Sequence, residues 1–348
     1  MQKINTYRAG CCILASLVLL LSCPEGRADE SGGAGNSSTF SIFFENDLFA
    51  DTDRNYTNGV KLSWVSPDLT EYAKSDKLPK WSLPLVARLP FINEPGLKRN
   101  IAFSLGQNMY TPRDIARSDL ITDDRPYGGW TYFGCAFHSK NDRRLDSWEV
   151  QLGMVGPDSR TDETQKLVHR LREIQRPNGW DNQINNEPGL AAVYEQKRRL
   201  FYMTLKQSLF AMDAISHFGG ALGNVSIYGN IGAETRLGWN IPMDFGDSLI
   251  RPAGDTNAPF ASGNERFGIY GFLSMDSRVV MRDIFLDGNT NSQSHSVDRK
   301  PLVADISAGV SLIIRGLKIS YAQALRTREF RGQDRHHSFG SITVSYTF

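Results

Sequence analysis

Two short stretches carry residues suited to hard-cation and proton chemistry. The first is Glu45-Asn46-Asp47, followed by a charged turn, Asp51-Thr52-Asp53-Arg54-Asn55, and then by Thr57. Carboxylate and amide oxygens are the donors Ca²⁺ prefers, so Asn46, Asp47 and nearby backbone carbonyls permit such a site. Asp47, Asp51 and Asp53 could equally form a surface calcium site unrelated to catalysis. The second stretch holds His169, whose neighbours at helical spacing are the polar Gln165, Arg172, Glu173 and Arg176. An imidazole can accept a proton near neutral pH, although a histidine among such neighbours can also be simply exposed. His138, His217, His295 and the His336-His337 pair show no metal-ligand spacing. A Gly-x-Ser-x-Gly element is lacking, so a serine nucleophile has no local support.

The elements that must position these residues are strands. Ser341 to Phe348 alternate polar and apolar without an error and finish on an aromatic, and period-two alternation marks a strand with two unlike faces. Residues 101–105, 148–154, 304–312 and 317–321 repeat the pattern. Eleven segments read as strands, near 38–49, 57–66, 99–108, 128–139, 146–156, 198–210, 225–239, 264–286, 299–314, 316–328 and 337–348. Single-chain bacterial barrels have even strand numbers, so His217–Leu222 is expected to supply a twelfth. The fold expected is all-β: a transmembrane, antiparallel up-and-down barrel of about 12 strands in the bacterial outer membrane. Its apolar face would meet outer-membrane lipid, and its C-terminal strand would engage the barrel-assembly machinery.

Two insertions interrupt the pattern. Residues 67–98 carry five prolines and read as an irregular loop. Residues 157–197 contain a helical stretch, Thr161–Gln175, with Leu167, Val168, Leu171 and Ile174 as an apolar stripe and Ser159 with Asp162 as a capping box. Long loops with structure of their own usually carry function. In the first strand, Phe43, Glu45 and Asp47 share one face; in the second, Thr57, Gly59 and Lys61 do. Asp47 and Thr57 are thus expected to face the lumen, with Asn46 at the rim or turned inward by a bulge.

The N-terminal end reads as a secretory signal. Lys3 and Arg8 precede an apolar run from Cys11 to Ser22, and Gly26-Arg27-Ala28 resembles a cleavage site. The divisions expected are signal 1–28, flexible leader 29–37 and barrel 38–348. Leu20-Leu21-Ser22-Cys23 offers a lipoprotein site as the alternative. Removing the signal leaves Cys135 as the one cysteine, so no intrachain disulfide forms. The chain is 40% hydrophobic, and without a later run of 18 apolar residues it is not a helical membrane protein. A net charge of +1 and no basic block argue against a nucleic-acid partner.

Taken together, Glu45-Asn46-Asp47, Asp53 to Gly59, Gln107 to Pro112, Asp124 to Trp130, Gly156-Pro157-Asp158, Gln165, His169 and Gly179 to Ile184 resemble the outer-membrane lipid A 3′-O-deacylases. That resemblance implies a twelve-stranded barrel with its site near the extracellular end, between barrel wall and helical loop. It implies a calcium-dependent hydrolysis of the ester that holds the 3′ acyloxyacyl group on lipid A, the acylated anchor of lipopolysaccharide. The family's site residues fall on Asn46, Asp47, Thr57 and His169. A family carboxylate six residues after the histidine is Gln175 here, and Glu173 is the nearest substitute. Metal ligands are then expected at Asp47, Asn46 and Glu173. Arg117, Arg125 and Lys61 are candidates to grip phosphate or sugar, since arginine suits phosphate. Two other readings compete: a non-catalytic pore or binding barrel, which the Gln175 departure favours, and an outer-membrane phospholipase using the same residues.

Overall fold

The computed structural model describes residues 37–47, 55–69, 71–72, 80, 83–205, 209–247, 249–250 and 267–348. The expected signal, nearly all of the leader, and Asp51, Asp53 and Arg54 of the charged turn lie outside the described residues. Twelve antiparallel strands close into one barrel. They are β1 Thr39–Asn46, β2 Asn55–Val65, β3 Lys98–Thr111, β4 Gly128–Lys140, β5 Arg144–Val155, β6 Glu187–Thr204, β7 Phe210–Gly223, β8 Ser226–Trp239, β9 Phe267–Asp283, β10 Leu302–Ile314, β11 Leu317–Arg326 and β12 His337–Thr347. β1 closes the ring by pairing with β12, from Thr39↔Thr347 to Asn46↔Gly340. Among the described residues, three α-helices interrupt them: α1 Leu83–Val86, α2 Thr161–Arg172 and α3 Ile284–Asp287.

Two strands differ from the expected boundaries. β6 begins at Glu187, so the helical insertion is shorter than residues 157–197, and the expected 217–222 strand is the end of a full-length β7. Pro188 and Gly189 disguise the start of β6 as loop. Proline is tolerated there because it sits next to the first residue of the strand.

Alternation sorts the wall into two faces. Leu105, Phe133, Leu152, Leu190, Ile231 and Leu273 point outward and are exposed, giving the apolar surface that lipid requires. The inward face is polar and buried. Arg236 chelates Asp213 at 2.6 and 2.8 Å, and Asp305 takes Arg278 at 2.8 Å and Arg326 at 2.7 Å. Pairing compensates the cost of burying these charges.

Residues 240–247 and 249–250 fold back into the barrel, where Phe245 packs with Leu145 and Ile215. Lys318 holds Asp244 at 2.8 Å and Asp247 at 3.1 Å. Farther in, the Ile250 amide donates to Glu45 Oε1 at 2.7 Å. Near that level, Tyr56, Tyr110, Trp130, Tyr132 and Phe339 pack with Ile284 and Phe285 of α3. Tyr110 and Phe285 stack with centroids 4.1 Å apart.

Described residues of the 67–98 insertion pack on the wall. Tyr72, Val86 and Ile92 pack on Ile101, Phe103, Phe137 and Trp148, so this segment forms a collar on the outer wall.

Candidate functional site

Of the residues singled out from sequence, Asn46, Asp47 and Thr57 lie at the end of the wall where β1 runs into the charged turn. Glu45 points inward to Ile250, so Asn46, the next residue of an unbroken strand, faces outward. It is nonetheless only 6% exposed. Asp47 follows past the strand end and is fully buried. The expected bulge is present, but in the neighbouring strand. Pairing of β2 with β3 skips Thr57, between Tyr56↔Tyr110 and Asn58↔Met109. The bulge frees Thr57 from the ladder and re-aims it, and its Oγ1 lies 2.6 Å from Thr111 Oγ1. Thr111 lies on the outward face of β3, so Thr57 belongs to the outer wall and not, as expected, to the lumen.

A row of paired residues crosses this wall from strand to strand: Asn46↔Asn58, Asn58↔Met109 and Met109↔Gly129. Its far end carries α2. The Ser159 carbonyl accepts from Thr131 Oγ1 at 2.7 Å and from Gln107 Nε2 at 3.0 Å, which pins the loop to outward residues of β3 and β4. The predicted capping box does not form. Ser159 Oγ donates to the Gly156 carbonyl at 2.5 Å, and the N-cap is Arg160 in a left-handed conformation.

From there α2 lies against β4 and β3 with Thr161, Gln165 and His169 buried. Each is four residues from the next, so they form one polar stripe facing the wall. His169 is 3% exposed and its Nδ1 is hydrogen-bonded to the Gln175 carbonyl. With a carbonyl as partner, Nδ1 carries the hydrogen and Nε2 is the acceptor. Gln165 Oε1 accepts from Trp180 Nε1 at 2.7 Å, and Trp180 packs with Met109, Ile115 and Tyr127. Three strand spacings separate β1 from β4, roughly 14 Å. Thr161 to His169 spans about 12 Å of helix, so α2 has the reach to carry His169 back along the row toward Asn46.

Other expected residues fall elsewhere. Lys61 is buried on the inward face, 5.7 Å from the Phe43 ring. Arg125 is also inside: it lies over the Tyr110 ring and pairs with Glu329 at 3.1 Å. Burial alone would raise the Glu329 carboxyl, but Arg125 and Arg326 hold it below its ordinary range. Neither cation faces the α2 row: alternation places Lys61 on the luminal side, and Arg125, in the loop before β4, reaches Tyr110 and Glu329. Arg117 is on the surface with its guanidinium on Asp119, which is held below the usual carboxylate range by that hydrogen bond. Glu173 is exposed at the left-handed C-cap of α2. Among the described residues, no three or more His, Cys, Asp or Glu side chains gather as a metal cluster. Among the described residues, the oxygen donors at the strand end are the Asn46 amide, the Asp47 carboxylate and main-chain carbonyls. Cys135 is half-buried on the outer wall.

Thr111 and the Trp180–Gln165 clamp complete the site, and neither was singled out for a role in it from sequence. Both lie in stretches whose order was distinctive, Tyr110-Thr111-Pro112 and Gly179-Trp180-Asp181.

A family model described as outer membrane protein LpxR matches residues 13–348. LpxR from Salmonella typhimurium shares the fold with a TM-score of 0.70 at 17% identity, over 89% of this chain and 100% of that one. The β-domain of the Bordetella autotransporter BrkA aligns at a TM-score of 0.43 and 10% identity, over 90% of this chain and 99% of that one. No curated protein matches in sequence.

Proposed function

Because the chain belongs to the LpxR family of outer-membrane proteins, we propose that it removes the 3′-linked acyloxyacyl group from lipid A by hydrolysing its ester, at a site opening toward the cell exterior. The observation that carries this reading is His169, buried on the polar face of α2 with Nδ1 committed to the Gln175 carbonyl. Nε2 is then the basic nitrogen, ready to take a proton from water as that water adds to the ester carbonyl. The proton passes on to the leaving alkoxide, yielding a free acid and the sugar hydroxyl. Thr57, held by Thr111, would hold the water or a neighbouring polar group.

Calcium fits the donors at the strand end in kind, since Asn46 and Asp47 offer hard oxygens. When bound, it would supply positive charge to the carbonyl oxygen as that atom becomes negative. Asn46 and Asp47 would hold it with main-chain carbonyls, and Glu173 is the further carboxylate proposed.

Mass spectrometry of lipid A from cells expressing the chain tests this. The expected result is loss of one acyloxyacyl mass with the wild-type chain, absent with His169→Ala and absent when calcium is chelated. An unchanged lipid A with a folded, inserted barrel would sink the proposal. Lysophospholipid in its place would make the substrate a glycerophospholipid.

A further inference from the structure

α2 has two faces of opposite character, and the apolar one points away from the protein. Thr161, Gln165 and His169 are buried, while Leu171 is 75% exposed, Leu167 51% and Val168 38%. At 100° per residue these three share one sector beside the buried stripe, and Asp162, Lys166 and Arg170 share the sector on its other side. In a water-soluble protein such a helix would be inside out.

Its position explains the inversion. Ser159, just before α2, is fixed to Gln107 and Thr131. Two residues farther along those strands, about 7 Å away, are Leu105 and Phe133, both outward and more than half exposed. The apolar face of α2 thus continues the lipid-facing belt of the barrel at its upper edge. The helix flanks are basic. Lys166 pairs with Asp162 at 3.0 Å and Arg160 with Glu163 at 2.5 Å. Arg170 and Arg176 are exposed and have no acidic partner among the described residues. An apolar stripe bordered by cations suits a lipid surface with anionic headgroups.

We propose that α2 is an interfacial helix: Leu167, Val168 and Leu171 insert among the acyl chains of the leaflet at this end of the barrel, and Arg170 and Arg176 engage its headgroup anions. The bilayer then presses the polar stripe, His169 included, against the wall. This inference rests on the barrel's place in a membrane and not on the proposed reaction.

A spin label tests it without any turnover. The full chain carries Leu171→Cys, with Cys11, Cys12, Cys23 and Cys135 changed to Ser, in vesicles of phosphatidylcholine and phosphatidylglycerol. The expected label collides chiefly with dissolved oxygen, at a depth of roughly 5–10 Å below the headgroups. A label at Lys166→Cys, in the polar sector of the helix, collides chiefly with a water-soluble nickel chelate. Nickel-dominated collisions at position 171 as well would overturn the proposal. So would dipolar broadening that grows with protein density, which would assign the face to a second copy of the chain. In a second variant, Leu167→Ser with Leu171→Ser, a label at Val168→Cys in the inserted barrel is expected to lose oxygen accessibility; unchanged accessibility there would also count against insertion.

Discussion

His169 takes its orientation from a main-chain atom, the Gln175 carbonyl, so the side chain at position 175 is free to change. That separates two roles that a carboxylate at this position would combine, orienting the imidazole and binding a cation. Gln175→Ala should keep lipid A deacylation within roughly threefold of wild type, since a backbone carbonyl suffices to fix the tautomer. A loss comparable to that of His169→Ala, measured by the same mass spectrometry, would show that the amide side chain itself is needed. The types and order of the site residues were legible in the sequence, but the direction of their side chains was less so. Thr57 was assigned to the lumen because period-two counting assumes an unbroken strand, and one extra residue between Tyr56 and Asn58 shifts that count.

The contact between α2 and β4 depends on a residue without a side chain. A Cβ at Gly129 would come within 1.8 Å of Thr161 Oγ1 and 2.3 Å of Ser159 Oγ. Gly129→Val must therefore push the start of α2 off the wall. A displacement near 1 Å at a catalytic group can cost about 100-fold in rate, and a loss of that order is expected while heat-modifiable gel mobility still reports a folded barrel. Activity near wild type would mean that α2 does not need this seat. The helix itself is predictable from its 3.6-residue period, but which of its faces is buried is not. An apolar stripe says which side avoids water and does not distinguish protein core from lipid. β7 was cut short for a related reason: its inward residues include Ala211 and Ile215, which meet the folded-back segment, so polar and apolar no longer alternate.

The filling of the lumen argues against an open pore. Residues 240–247 and 249–250 occupy one part of it and the Tyr56–Tyr110–Phe285 layer another. The purified barrel in a planar bilayer should show no stable conductance steps, and steps typical of an open porin would revive the transport reading. The barrel class and the twelve strands followed from alternation and from even strand numbers. The filling did not, because its contacts, such as Ile250 to Glu45, join positions far apart in sequence.

The ring's seam has a temporal meaning. Asn46 sits where β1 meets β12, opposite Gly340 on one side and Asn58 on the other. On the proposed reading, its place in the site exists only after β12 has docked, so closure works as an arming step. A chain still in transit, with β1 unpaired, would pass newly made lipid A as an inert precursor and begin to cut only once it has arrived.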